Sequence, residues 1–75
     1  MAEYYIDALG EICPVPNLRA QSKYKELNPG DVLILETDHS CAATNIVNDM
    51  RKRGVWAKSQ EIDNGIWQVI IKKKS

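Results

Sequence analysis

The run Val32-Leu33-Ile34-Leu35 is apolar at every position, fenced by Asn28-Pro29-Gly30-Asp31 on one side and Asp38-His39-Ser40 on the other. Apolar residues at both odd and even positions leave a strand no solvated face, so Val32 to Thr37 reads as a central strand of a sheet. The Asn-Pro-Gly-Asp cluster breaks whatever precedes it. Asp38 and Ser40 are N-cap candidates for a helix that follows. That helix has a buried stripe of Ala43, Ile46, Val47 and Met50. Arg51, Lys52 and Arg53 suit its C-terminal dipole, and Gly54 suits a left-handed cap.

The other elements fall around this strand. Glu3 to Ala8 alternates weakly, with Tyr4, Ile6 and Ala8 set against Tyr5 and Asp7. Leu9-Gly10-Glu11 is a loop, and a first helix is predicted from Pro14 to Leu27 with Leu18, Ala20, Tyr24 and Leu27 as its apolar positions. The C-terminal part is a hairpin: Val55 to Ile62, a turn at Asp63-Asn64-Gly65, then Ile66 to Lys72. Trp67, Val69 and Ile71 share one face of its second strand; Ile66, Gln68 and Ile70 share the other. The order is βαβαββ. Two helices cover only one face of a four-stranded sheet, so the expected class is α/β: a two-layer sandwich with a mixed sheet and two helices on one face. The open face would keep some apolar surface, a contact for a partner. A chain of 75 residues with no linker or repeat is expected to be a single domain, 1–75.

Ten basic and ten acidic residues cancel, which gives no global sign of a nucleic-acid partner. The short basic clusters, Arg51-Lys52-Arg53 and Lys72-Lys73-Lys74, are explained by a helix end and a solvated tail. No apolar run reaches membrane-spanning length and no signal peptide is read, so the expected location is cytoplasmic, without direct membrane insertion. Thiols there stay reduced. Two cysteines and one histidine are too few for a closed zinc site, and neither a metal nor an organic cofactor is expected.

The chemistry centres on Ile12-Cys13-Pro14-Val15-Pro16-Asn17-Leu18. Proline favours the first helical turn, where its missing N–H would have had no partner. Cys13 is therefore expected at or just before the N-cap, on a chain stiffened by Pro14 and Pro16. A helix N-terminus lowers a thiol's pKa, although the two prolines remove donors and leave only those of Val15 and Asn17. A lone cysteine is more often buried packing than chemistry. The rigid proline frame favours function, because a core cysteine has no use for it. If the first helix is a crossover between parallel strands, both strands end at one edge of the sheet. That edge is where α/β sheets place their sites, so Asp38, His39, Ser40 and Cys41 are expected near Cys13. Cys41 remains open between a packed small residue and a second thiol that resolves or relays.

Ile6-Asp7-Ala8-Leu9-Gly10-Glu11-Ile12-Cys13-Pro14-Val15-Pro16, followed by Asn28-Pro29-Gly30-Asp31 and Thr37-Asp38, resembles the TusA/SirA-like sulfur-carrier family over essentially the whole chain. The resemblance implies a sulfurtransferase that holds sulfane sulfur as a persulfide on Cys13, with Pro14, Pro16, Asp38 and Cys41 in support. It also implies protein donors and acceptors as partners. This chain has Leu9 where the family commonly has arginine, Asn45 where it has an acidic residue, and Asn17 where it is apolar. Asp38-His39-Ser40-Cys41 together with Asp7-Ala8-Leu9-Gly10 resembles a subgroup associated with membrane permeases for thiosulfate. That likeness implies a role in thiosulfate uptake and assimilation, at the inner face of the membrane beside such a permease. The alternatives are a dithiol redox module using Cys13 and Cys41, and a non-enzymatic regulatory module docking on a membrane protein.

Overall fold

A computed structural model describes residues 2–12 and 15–73. The elements are β1 (Glu3–Asp7), α1 (Val15–Glu26), β2 (Val32–Thr37), α2 (Ser40–Lys52), β3 (Trp56–Asp63) and β4 (Ile66–Lys72). The strands lie in the order β1-β2-β4-β3. β1 runs parallel to β2, and β4 is antiparallel to both β2 and β3. β2 is interior, as its unbroken apolar run requires. The sheet is mixed, and the βαβαββ order is the one read from the sequence.

Register explains how the core forms. Ile6, Leu35 and Val69 align across three strands, as do Tyr4, Leu33, Ile71 and Ala57 across all four. These side chains meet Ala20 and Leu27 of the first helical segment and Ala43, Ile46, Val47 and Met50 of α2. Both helices therefore cover the same face. The stripe expected on α2 is buried throughout, with Ala42 added to it.

On α1 the apolar pattern needs correction. Its buried residues are Pro16 and Ala20, with Leu27 just beyond its end, whereas Leu18 is 58% exposed. Positions 16, 20, 24 and 27 stack on one side of a helix of 3.6 residues per turn, and position 18 lies roughly 200° around from 16. Leucine content suggested a core contact that helical geometry refuses.

The N-cap of α2 is also not one of the two residues expected. His39 holds that position with extended backbone and no side-chain cap, and Ser40 is already helical. Asp38 is engaged elsewhere, as described below. The C-terminus follows the sequence: Gly54 takes φ +76°, its N–H donates to the Arg51 carbonyl, and Val55 N–H donates to Met50. In the hairpin β3 runs one residue further than expected, so Asp63 pairs with Ile66 across Asn64-Gly65, with a bulge between Glu61 and Asp63.

Asp31 closes the Asn-Pro-Gly-Asp turn. Its buried carboxylate accepts the Asn28 N–H at 2.9 Å and the Ala2 N–H at 3.1 Å, which pins the start of the chain to the entrance of β2. Those two backbone donors, Asn28 first, hold its pKa below the ordinary value.

Ile46 is fully buried and Leu18 is not. Ile46→Ala should lower stability by about 2–5 kcal/mol in urea unfolding, while Leu18→Ala should stay within about 0.5 kcal/mol. Equal costs at the two positions would contradict this division between core and surface.

Candidate functional site

Parallel pairing brings the exits of β1 and β2 side by side, with Asp7 opposite Glu36. The ladder continues one step beyond β1, where Ala8 N–H donates to the Glu36 carbonyl at 2.8 Å. From there the β1–α1 loop departs through Gly10, whose φ of +81° suits glycine and strains other residues. Gly10 N–H then donates to Asp38 Oδ1 at 3.1 Å. One carboxylate oxygen thus ties the first loop to the second. The same oxygen lies 2.9 Å from His39 Nδ1. The Gly10 N–H, helped by the His39 ring, holds the Asp38 carboxyl below its ordinary pKa. An ionised carboxylate only accepts, so the ring nitrogen donates.

Cys13 and Pro14 lie outside the described residues. The residues on either side of them are hydrogen-bonded to each other. Val15 N–H donates to the Ile12 carbonyl at 2.9 Å. Of the two donors expected to remain at this helix start, Val15's is therefore engaged. Pro16 is buried in the first turn of α1. Cys41 is exposed in the first turn of α2, so packing in the core does not explain it.

Several partners of this loop were not read from the sequence. Arg19, one turn and a half into α1, reaches back to donate to the Asp7 carbonyl at 3.1 Å and to pair with the Glu11 carboxylate. A cation therefore stands over the loop although position 9 carries leucine. Asn17 donates to Asp49 of α2 at 3.0 Å, and Gln21 donates to the same oxygen at 3.1 Å. The polar residue at position 17 thus fastens the front of α1 to α2. Only the i,i+4 spacing of Asn17 and Gln21 could have hinted at this, and it says nothing of Asp49.

Around the loop the surface is apolar. Leu9, Ile12, Val15 and Leu18 are 43%, 68%, 45% and 58% exposed, and all fall between positions 9 and 18, bracketing Cys13. Among the described residues no group of His, Cys, Asp and Glu is arranged to hold a metal ion. No helix among them is long and apolar enough to cross a membrane.

The fold is a small two-layer α/β sandwich whose first strand and first helix are joined by a loop flanked by exposed apolar residues. The sulfurtransferase TusA family profile matches residues 4–73, and the chain belongs to that family. A candidate sulfur carrier protein of Methanocaldococcus jannaschii is 32% identical, over 91% of each chain. One of Thermotoga maritima is 28% identical over 99% of this chain and 100% of its own. The crystal structure of a SirA-like protein from Desulfitobacterium hafniense superposes with a TM-score of 0.87 at 32% identity, covering both chains fully.

The Asp38 tie yields a test. Its carboxylate should hold Gly10 at neutral pH and release it as pH falls below the ordinary carboxylate range, because a depressed pKa stabilises only the ionised form. The Gly10 amide resonance should titrate accordingly, and in Asp38→Ala it should be pH-independent with faster hydrogen exchange. An unchanged Gly10 amide in Asp38→Ala would disprove the tie.

Proposed function

We propose that this protein carries sulfane sulfur on Cys13 as a persulfide and hands it from a donor protein to an acceptor protein. The observation that carries this reading is family membership over residues 4–73, with the motif Cys13-Pro14-Val15-Pro16 falling in the sequence where the β1–α1 loop meets α1. The Cys13 thiolate attacks the outer sulfur of a donor persulfide. A new S–S bond forms at Cys13, the donor's S–S bond breaks, and the donor leaves as a thiolate. An acceptor thiolate then attacks the outer sulfur on Cys13 and restores the free thiolate. No net oxidation occurs and no further reactant is needed. With thiosulfate as donor, the leaving group is sulfite.

Such an exchange needs a nucleophilic, accessible thiolate more than it needs a deep pocket. The exposed Leu9, Ile12, Val15 and Leu18 offer a partner protein an apolar contact around the sulfur, and contact of this kind excludes water from the reacting atoms. Arg19, paired with Glu11, braces the loop through the Asp7 carbonyl. The work belongs in the cytoplasm, and the permease-associated likeness makes a thiosulfate permease the candidate source of sulfur.

Incubation with thiosulfate or a persulfide-loaded desulfurase should add the mass of one sulfur atom to the peptide containing Cys13. Cys13→Ser should remain folded and accept none. Sulfur carried on Cys41 and never on Cys13 would overturn the assignment.

The exposure of Cys41 keeps a second reading in play, a dithiol in which it resolves the Cys13 persulfide. Loaded protein left without acceptor would then release sulfide and form an intramolecular disulfide, and Cys41→Ala should prolong the persulfide severalfold. Equal lifetimes in the two proteins would show that Cys13 works alone.

A further inference from the structure

The sheet face away from the helices carries a charge pattern that composition conceals. Register places Glu3, Val32, Lys72 and Trp56 in one row across it. Tyr5, Ile34, Ile70 and Lys58 form the next row, and Asp7, Glu36, Gln68 and Gln60 the third. The β1–β2 half is acidic through Glu3, Asp7 and Glu36; the β4–β3 half carries Lys58 and Lys72, with a single acid, Asp63, at its far end opposite Ile66. Ile34 and Ile70 sit at the middle, half-buried, with Tyr5 59% and Trp56 39% exposed near the two edges. The side chains are already ordered: Lys72 stacks on Trp56 at 4.7 Å, and Gln60 bonds Gln68 at 3.0 Å. Tyr5 bonds the Glu36 carboxylate, which pushes its pKa up to about 12 and keeps its ring neutral.

We propose that this face packs on the same face of a second copy, about a twofold axis parallel to the strands. The charge pattern selects that axis. A twofold parallel to the strands lays β1 of one copy over β3 of the other and β2 over β4, so the acidic half meets the basic half. A twofold across the strands would lay acid on acid and base on base. In the selected arrangement rows stay in register: Ile34 meets Ile70 of the second copy twice over, and Tyr5 meets Lys58, a cation–π pairing. Sheets packed this way lie about 10 Å apart with strands within about 30°.

Four strands at about 4.8 Å spacing offer roughly 500–600 Å² per copy, so the dimer buries roughly 1,000–1,200 Å², the lower end of specific interfaces. An interface of that size is expected to be reversible. The candidate sulfur site is at the rim of the sheet, so both loops stay free. The carboxyl ends of the two β1 strands, which lead into those loops, lie at the same end of the dimer, roughly 18 Å apart. The dimer is independent of the sulfur chemistry and is tested without it.

Sedimentation equilibrium at low salt should show wild-type protein passing from monomer to dimer with rising concentration, and a weaker dimer in high salt. Ile34→Arg should stay monomeric. The exposed pair Lys58→Glu with Lys72→Glu should weaken self-association by roughly tenfold, as should Glu3→Lys with Glu36→Lys, and mixing these two double variants should restore the dimer. Circular dichroism confirms that each variant is folded, and the lysine variants keep the test decisive if Ile34→Arg is not. Wild type that stays monomeric at all concentrations, or a mixture no stronger than its components, would overturn the proposal.

Discussion

The parallel pairing of β1 with β2 is the contact on which the site depends. Two neighbouring parallel strands end at the same edge, so the loops that follow them are neighbours before any side chain acts. α1 carries the chain to the opposite edge of the sheet, and β2 returns it to this one. Asp38 converts proximity into a fixed distance by accepting the Gly10 N–H. A carboxylate is well suited to this task, since the N–H it accepts also keeps it ionised, and a charge-assisted bond is stronger than a neutral one. The candidate sulfur site is thus held by topology first and by one ionised group second.

Around that frame the helix start is fastened from two directions. Arg19 holds the loop through the Asp7 carbonyl and Glu11, and Asn17 with Gln21 holds α1 to Asp49 of α2. Buried Pro16 adds packing beneath. The helix N-terminus contributes little by way of free donors, because prolines remove some and the Ile12 carbonyl takes that of Val15. For a carrier that must fit more than one partner, a fixed presentation with apolar surroundings is the economical solution: it limits the entropy lost on each encounter.

How far the sequence revealed this depended on whether a feature was local. The α2 stripe, the Gly54 cap and the interior position of β2 rest on periodicity and on single-residue stereochemistry, and each is seen in the structure. Leu18 was misplaced because composition was weighed above helical phase. His39 stands at the N-cap position of α2 without a side-chain cap, and Asp38 has a long-range partner that no sequence rule sees. Arg19, Asp49 and Asp31 matter through contacts with residues distant in the chain. Asp31 looked like a turn residue and proves to be a buried anchor for the chain start. Cys41 could be placed on its helix but not assigned an environment, since burial is a property of the assembled layers.

Neutrality is the case where a correct count conceals spatial order. Ten positive and ten negative residues sum to nothing, and that sum argues against a polyanion partner only if the charges are mixed in space. On the open sheet face they are largely separated, because β1 and β2 carry Glu3, Asp7 and Glu36 while β3 and β4 carry Lys58 and Lys72, with Asp63 alone among the acids on that side. Strand alternation decides which charges face outward, and strand order decides which of them become neighbours. The hairpin supplies both basic strands together, so a single turn and a single register determine the whole basic half. A sheet in the order β3-β1-β2-β4 would put Lys58 beside β1 and split the lysines between the two edges. The surface field of this protein is therefore a consequence of topology, and a charge total carries none of it.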